Sequence, residues 1–560
     1  MRSILAVVVV VLAAAGPARE AAAQTPQDIE RAQQQNQQLI QQEQQRERQQ
    51  REIEELRRRA PSGQELKPAP PAEAPGTGAC SKVTEIVLDG ATKLEAYEQA
   101  QLAAPFLDKC LTLAHINRLI GEITNYYVER GYVTTRVYIP QQDLGGGRLQ
   151  LKIVEGRIQS FIIQPENGAS AATAFPGLKG GVLNLRDIEQ GMDQINRLSS
   201  NSARIDIQPG DDPGASQVVV KNEPRKRWLV SAGVDNSGSA STGRNLFSGF
   251  LGVDNLLGLN DYFNASLRHS ERGEDGPAQY SDSASLFGSI PFGYWTFSSA
   301  ISDFRYASLV RGIVSIFTTN GTSDSQMVRA DRVVYRDQSS KWGISGGVTT
   351  KQTRNYIAST QIDASSANLT VLDFGGNATL ITAGTIFSFD LGAAAGIGAL
   401  GATHDDPSRP FGAPQAQYSK VTYGAGLVRP FSVGTTQWSW QSRLTGQASS
   451  DSLYGSEQIA IGNLYTVRGF RSTSLAGRTG HYLRNDLGFQ LPFANGQIRP
   501  FVGYDLGHVE GAGSLSGATV GIDISVAGAA LQLAYSQPSS MPGFLPRENG
   551  WLYARLALTF

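Results

Sequence analysis

Trp551-Leu552-Tyr553-Ala554-Arg555-Leu556-Ala557-Leu558-Thr559-Phe560 closes the chain, and its reading decides the fold. Side chains of a strand point alternately to opposite faces. Leu552, Ala554, Leu556, Leu558 and Phe560 therefore share one apolar face, opposite Trp551, Tyr553, Arg555 and Thr559. A strand that is apolar outward, polar inward and ends on an aromatic residue suits a closed barrel in lipid. There, every backbone N–H and C=O must be satisfied by neighbouring strands.

The pattern extends back to about residue 225. Trp228, Val230, Ala232 and Val234 alternate with Leu229, Ser231, Gly233 and Asp235. Leu487, Phe489, Leu491 and Phe493 alternate with Gly488, Gln490 and Pro492, and Val520, Ile522, Ile524 and Val526 with Gly521, Asp523 and Ser525. Residues 226–560 leave room for sixteen antiparallel strands of about eleven residues with long outer loops. Composition agrees: 18% of residues are charged and 61 are glycine, against roughly 25% charged in soluble domains. A formal net charge of -1 gives no field that would gather nucleic acid.

Between about Tyr454 and Gly480, a long Gly- and Ser-rich connection interrupts the strands and carries Tyr465-Thr466-Val467-Arg468-Gly469-Phe470-Arg471. The next strands include 498–506, whose alternation puts Arg499, Phe501, Gly503 and Asp505 on the lumenal face. Asp505 then has two candidate partners, Arg468 on the loop and Arg499 on its own strand.

The N-terminal part reads differently. Arg2, an apolar run over 4–15 and the small residues Ala21 and Ala23 make residues 1–23 a secretory signal peptide. The run is too short for a membrane helix, which needs about twenty apolar residues. Residues 24–59 are rich in Gln, Arg and Glu without an apolar stripe; they read equally as a helix polar on all sides or as a disordered tail. Residues 60–79 form a Pro-rich linker, able to extend over roughly 60 Å. Cys80 and Cys110 are the chain's 2 cysteines. In an exported chain they are expected to form a disulfide contributing about 3–4 kcal/mol.

Two compact α/β modules follow, at 80–154 and 155–225. In the first, a strand over 83–88 precedes a helix marked by Ile116, Leu119, Ile120, Ile123 and Tyr127 and closed by Gly131. Alternating runs over 133–139 and 149–153 then flank the Gly145-Gly146-Gly147 turn. In the second, a strand over 158–163 precedes a helix begun at Asn184, with Leu185, Ile188, Met192, Ile195 and Leu198 on one face. Strands at 205–207 and 218–220 complete it. Such modules expose sheet edges to which a partner strand can be added.

No catalytic constellation is present. The 5 histidines show no HExxH spacing, and there is no GxSxG turn. His404-Asp405-Asp406 sits beside Pro407 and Pro410 and reads as a solvated loop. No metal or other cofactor is expected.

Taken in order, several stations resemble the two-partner secretion transporters of the haemolysin secretion/activation family, within the superfamily of POTRA-bearing outer-membrane barrels. In the first module these are Cys80, Cys110, Gly131-Tyr132-Val133-Thr134-Thr135 and Pro140-Gln141-Gln142-Asp143-Leu144. In the second they are the stretches 184–191, 196–198 and 207–210. At the start of the barrel they are Asp235-Asn236-Ser237-Gly238, Thr242-Gly243 and Asp254-Asn255-Leu256-Leu257-Gly258, then Val467-Arg468-Gly469-Phe470 and Phe501-Val502-Gly503-Tyr504-Asp505. The resemblance implies a sixteen-stranded membrane β-barrel preceded by two POTRA domains, with residues 24–59 as a plug helix in the pore.

It further implies a loop folded into the lumen, latched there by Val467, Arg468, Gly469 and Phe470 onto Asp505. The implied place is the outer membrane of a Gram-negative bacterium, with the POTRA domains in the periplasm. The implied partners are one large secreted β-helical protein, of haemolysin, adhesin or toxin type, the outer-membrane lipid, and the barrel assembly machinery that reads Phe560. The alternative within the superfamily is an insertase for outer-membrane proteins. Two POTRA-like modules behind an N-terminal helix favour secretion.

Overall fold

The computed structural model describes residues 80–560 apart from 167–168, 273–278, 312–315, 409 and 411. The signal peptide, plug helix and linker expected over 1–79 lie outside the described residues.

In the first small unit, helix Leu113–Glu129 is capped by Thr112 and turns Ile116, Leu119, Ile123 and Tyr127 inward. They pack on Leu149, Leu151 and Ile153, each such side chain worth about 1.5–3 kcal/mol when removed from water. The sheet behind the helix has Arg148–Val154 at its centre, parallel to Glu85–Asp89 and antiparallel to Arg136–Tyr138. Two elements are interrupted or shortened relative to the periodicity. The strand expected over 83–88 is split into Ser81–Val83 and Glu85–Asp89, because Thr84 N and Glu85 N both donate to Gly147 O at 2.7 and 3.1 Å. The run over 133–139 shrinks to Arg136–Tyr138, since Val133 N and Thr135 N close a local turn on Gly131 O and Tyr132 O. Ser81–Val83 pairs with Lys109–Leu111, and the disulfide ties Cys80, just ahead of the first strand, to Cys110 in the middle of the second.

The second unit repeats the plan, with Ala215–Asn222 central between Arg157–Gln164 and Ala203–Pro209. Helix Leu185–Asn196 is capped by Asn184, whose Oδ1 accepts from Arg186 N at 2.8 Å. Asn184 also donates to Arg130 O at 3.1 Å, so one residue starts this helix and joins the two units.

The remaining chain forms a closed antiparallel barrel of sixteen spanning strands, from Trp228–Asp235 to Trp551–Thr559. The last strand closes on the first through a register running from Arg555↔Asp235 to Thr559↔Ser231. Spanning strands range from 8 to 21 residues, so several rise well beyond the hydrocarbon layer. The alternation sorts the faces: Val502, Tyr504, Leu506, Leu552, Leu556 and Leu558 are exposed outward, whereas Phe501, Asp505 and Tyr553 are buried inside. Ion pairs cross between lumenal strand faces, such as Arg443–Asp390 at 3.0 Å and Arg329–Asp373 at 3.1 Å.

The second small unit sits on the short turns at one rim. Tyr294 donates to Asp187 at 2.6 Å, and Gln194 to Gly293 O at 3.0 Å. Arg197 reaches Asn260 O at 2.6 Å, and Ser200 N donates to Asp254 at 2.8 Å. At the centre, Arg336 lies 2.8 Å from Asp193 and 3.5 Å from Glu189, with Lys341 3.1 Å from Asp193. At the opposite rim, residues 449–479 leave the wall and fold into the lumen.

Candidate functional site: the lumenal loop

The loop joins strands Thr436–Ala448 and Gly480–Phe493. It opens with a single 3-10 turn, Gly455–Glu457, then makes a small hairpin of Ile459–Ile461 against Leu475–Gly477. The hairpin satisfies the backbone of a segment that would otherwise enter the barrel with orphan polar groups. Within it, Asn463 Oδ1 accepts from Tyr465 N at 2.8 Å and from Thr466 N at 3.1 Å, folding the tip that carries Arg468.

Arg468 is 4% exposed and Asp505 0%, so their contact is made away from water. Nε lies 2.6 Å from Asp505 Oδ2 and Nη2 2.7 Å from Oδ1, a two-point pairing of planar groups. The Arg468 backbone N also donates to Asp505 Oδ2 at 3.0 Å. Nη1 reaches Asp486 Oδ1 at 2.8 Å, and Nη2 donates to Asn485 O at 3.3 Å. Burial opposes charge on this guanidinium, but Asp505 and Asp486 more than offset it and raise its pKa. Removing one member of such a buried pair costs about 3–5 kcal/mol, because its partner stays buried with its nearest counter-charge gone.

The neighbouring residues explain why the tip fits. Val467 and Phe470 are fully buried with Ile461, Leu475, Val509 and Leu515. Gly469 has φ +109, and a Cβ there would come within 2.8 Å of the Gln537 backbone. On the facing strands, a Cβ on Gly517 would stand 1.8 Å from Arg468 O, and one on Gly503 2.4 Å from Arg468 Nη2. These positions leave a groove on the wall only where side chains are missing. Beyond the tip, Arg471 donates to Asn236 O at 2.8 Å and Gly238 O at 3.1 Å, while Glu548 accepts from Arg471 N and Ser472 N at 2.7 and 2.8 Å. The loop thus reaches the segments flanking the first and last strands.

Of the residues singled out from the sequence, Val467, Arg468, Gly469, Phe470 and Asp505 meet in this one place. Arg499, the other candidate partner for Asp505, pairs instead with Asp523 at 2.9 Å. Cys80 and Cys110 are bonded to each other, far along the chain in the first small unit. Phe560 is exposed on the barrel exterior, its N donating to Val230 O at 2.9 Å. Asp405 accepts from Ala416 N and Gln417 N at 2.7 and 2.8 Å, a loop-organising role. Among the described residues no cluster of His, Cys, Asp and Glu could hold a metal.

Asp486 and Glu457 were missed. The inward position of Asp486 follows if the alternation of Leu487, Gly488 and Phe489 is continued one step upstream. Glu457 carries no such signal. It is 1% exposed, 2.5 Å from Lys351 Nζ and 2.9 Å from Lys420 Nζ, and accepts from the Tyr418 hydroxyl at 2.6 Å. Burial pushes its pKa up, but the two ammonium groups and the Tyr418 hydroxyl outweigh burial and hold it well below the usual carboxylate range.

Comparison with known proteins is consistent along the chain. The profile of the haemolysin secretion/activation protein ShlB/FhaC/HecB matches residues 214–534. A ShlB-type POTRA domain profile matches 81–156, and a second POTRA profile 157–209. The chain is 34% identical over 495 residues to the outer membrane transporter CdiB of Dickeya dadantii, covering 86% of this chain and 87% of that one. It is 30% identical over 519 residues to the hemolysin transporter protein ShlB of Serratia marcescens, covering 91% of each. The solved structure of CdiB from Escherichia coli superposes with a TM-score of 0.84 at 30% identity, over 96% of this chain and all of that one.

Proposed function

The chain belongs to the haemolysin secretion/activation family, and from that premise we propose that it secretes one large partner protein across the outer membrane. It is a two-partner secretion transporter, with its barrel in the outer membrane and its two POTRA domains in the periplasm. The POTRA domains take hold of the unfolded client, and the barrel lumen is its way out. Domain limits of 80–154, 155–225 and 226–560 are assigned to the two POTRA domains and the barrel. Residues 1–23, 24–59 and 60–79 are assigned to the signal peptide, plug and linker.

The observation that carries the reading is the buried Arg468–Asp505 pair, which holds a long loop inside a closed pore. A loop held at discrete points on the wall can be part of a conduit; a solid barrel interior could not. The client is proposed to be β-helical, captured extended at the POTRA sheet edges such as Glu85–Asp89 and Arg157–Gln164. Phe560 is the proposed signal to the barrel assembly machinery, and the outward aliphatic band meets outer-membrane lipid. The work is transport, with no catalytic step assigned.

The test compares secreted and outer-membrane proteomes with and without this chain. Loss of one large exported protein, with other barrels unchanged, supports the reading; a broad fall in outer-membrane barrels would replace it with an insertase. Deleting residues 24–59 is expected to raise ion conductance in planar bilayers, and unchanged conductance would remove the plug.

A further inference from the structure

We infer that Glu457 is a second positioning residue, which seats the root of the lumenal loop on the barrel wall independently of Arg468. The inference rests on the transporter reading for its importance, but its geometry stands alone. One side chain and its own carbonyl gather five donated contacts. Lys351, Lys420 and Tyr418 reach the carboxylate at 2.5, 2.9 and 2.6 Å, and Lys420 Nζ and Gln447 Nε2 both reach Glu457 O at 2.9 Å. The donors come from strands Ser340–Ile357, Ser419–Val433 and Thr436–Ala448, and from Tyr418 just ahead of the second.

The arrangement inverts the one at the tip. There, a cation on the loop lies between two carboxylates of the wall, Asp486 and Asp505; here, an anion on the loop lies between two ammonium groups of the wall. The two anchors share no wall residue, and the tip's acids belong to the strands Gly480–Phe493 and Gly496–Val509. Apolar packing separates them in the same way. Leu453 and Tyr454 at the root are buried with Ala367, Leu369, Val371, Ala416 and Tyr418, whereas Val467 and Phe470 belong to a different cluster. Between the anchors stand the hairpin and Gly462, at φ +100, where the chain turns toward the tip. Interactions without shared partners act additively, so each half of the loop keeps its seat when the other half loses its own.

Cysteine pairs report the seat of each half directly in the full-length protein in membranes. Gln415→Cys with Leu453→Cys spans the bridge at the root. Gly507→Cys with Val467→Cys spans the tip, where a Cβ on Gly507 would lie 2.8 Å from Val467 Cγ2. Crosslinked peptides are quantified by mass spectrometry after mild oxidation. Glu457→Gln is expected to lower the root crosslink at least about fivefold while the tip crosslink stays within about twofold, the ratio expected of uncoupled sites. Arg468→Ala is expected to do the reverse. Heat-modifiability on gels shows that the barrel is assembled. Glu457→Gln with Lys420→Met serves where loss of the carboxylate between two ammonium groups prevents assembly.

Loss of both crosslinks in either single variant, or an unchanged root crosslink in assembled Glu457→Gln, would overturn the inference. Export of the partner protein is measured in parallel. If crosslinks respond as expected but export does not, the inference stands and the role of the loop in transport fails.

Discussion

Two buried arginines on the same barrel are each matched with two carboxylates, yet they are built for different tasks. Arg336 projects from a barrel strand end toward the second POTRA domain, where Glu189 and Asp193 lie one turn apart on helix Leu185–Asn196. Its nearer acid also serves Lys341, Glu189 also serves Arg186, and Arg336 Nε has no partner. Arg468 projects from the loop, and Nε, Nη1, Nη2 and the backbone N all have acceptors on two wall strands. The first is one contact in a broad joint made of many hydrogen bonds. The second concentrates the seating of a loop tip in one guanidinium. Charge sharing makes the joint tolerant of single losses, whereas full engagement makes the tip dependent on one residue.

That contrast is open to breaking. Arg468→Ala is expected to lower secreted partner protein more than about tenfold at equal barrel content, because about 3–5 kcal/mol of buried pairing is lost; immunoblots of medium and membrane check it. Asp486→Ala is expected to have a smaller effect, since Asp486 is part-exposed and makes one contact with Arg468 against the three made by Asp505. Equal losses from Asp486→Ala and Asp505→Ala would show that the two-point pairing is not what matters. Arg336→Ala is expected to weaken the joint by about 1.5–3 kcal/mol, the worth of a charged hydrogen bond. The readout is faster proteolysis between the second POTRA domain and the first barrel strand, with most export retained. Replacing both Cys80 and Cys110 by Ala should cost the first POTRA domain about 2–5 kcal/mol and leave barrel heat-modifiability unchanged. A barrel that then fails to assemble would mean the two regions are coupled.

The smallest expected effect is of pH. The carboxyl pKa of Glu457 is held below the ordinary glutamate range by Lys351, Lys420 and Tyr418. Its contribution is present above the unfolded value and lost only as pH falls through the lower folded value. Lys351, Lys420 and Tyr418 are the groups that face it. The root crosslink is therefore expected to be unchanged between pH 7.5 and 5.5, and its loss in that window would contradict the assignment.

How legible each part was depends on whether its signal is local. The barrel could be read because lipid and lumen impose a period of two, as at Leu552, Tyr553 and Ala554, and the structure gives those residues opposite faces. The same rule put Asp505 inside, and continued past Leu487 it would have put Asp486 there too. The choice of Arg468 over Arg499 as the partner of Asp505 came from the family resemblance, since periodicity allowed both. The partners of Glu457 lie 106 and 37 residues away, and the loop that carries it has no period, so only the fold brings them together. In the first POTRA domain one strand is interrupted and another shortened for a related reason: Thr84 and Val133 give their backbone N–H groups to turns that no alternation reveals.

The most direct measurement is the double-mutant cycle on export, with secreted partner protein quantified for Arg468→Ala, Asp505→Ala and the double variant at matched amounts of assembled barrel. A latch made by these two side chains predicts that each single variant loses export and that the double variant is no worse than either one. Wild-type export by assembled Arg468→Ala would contradict it, as would losses in the two single variants that simply add.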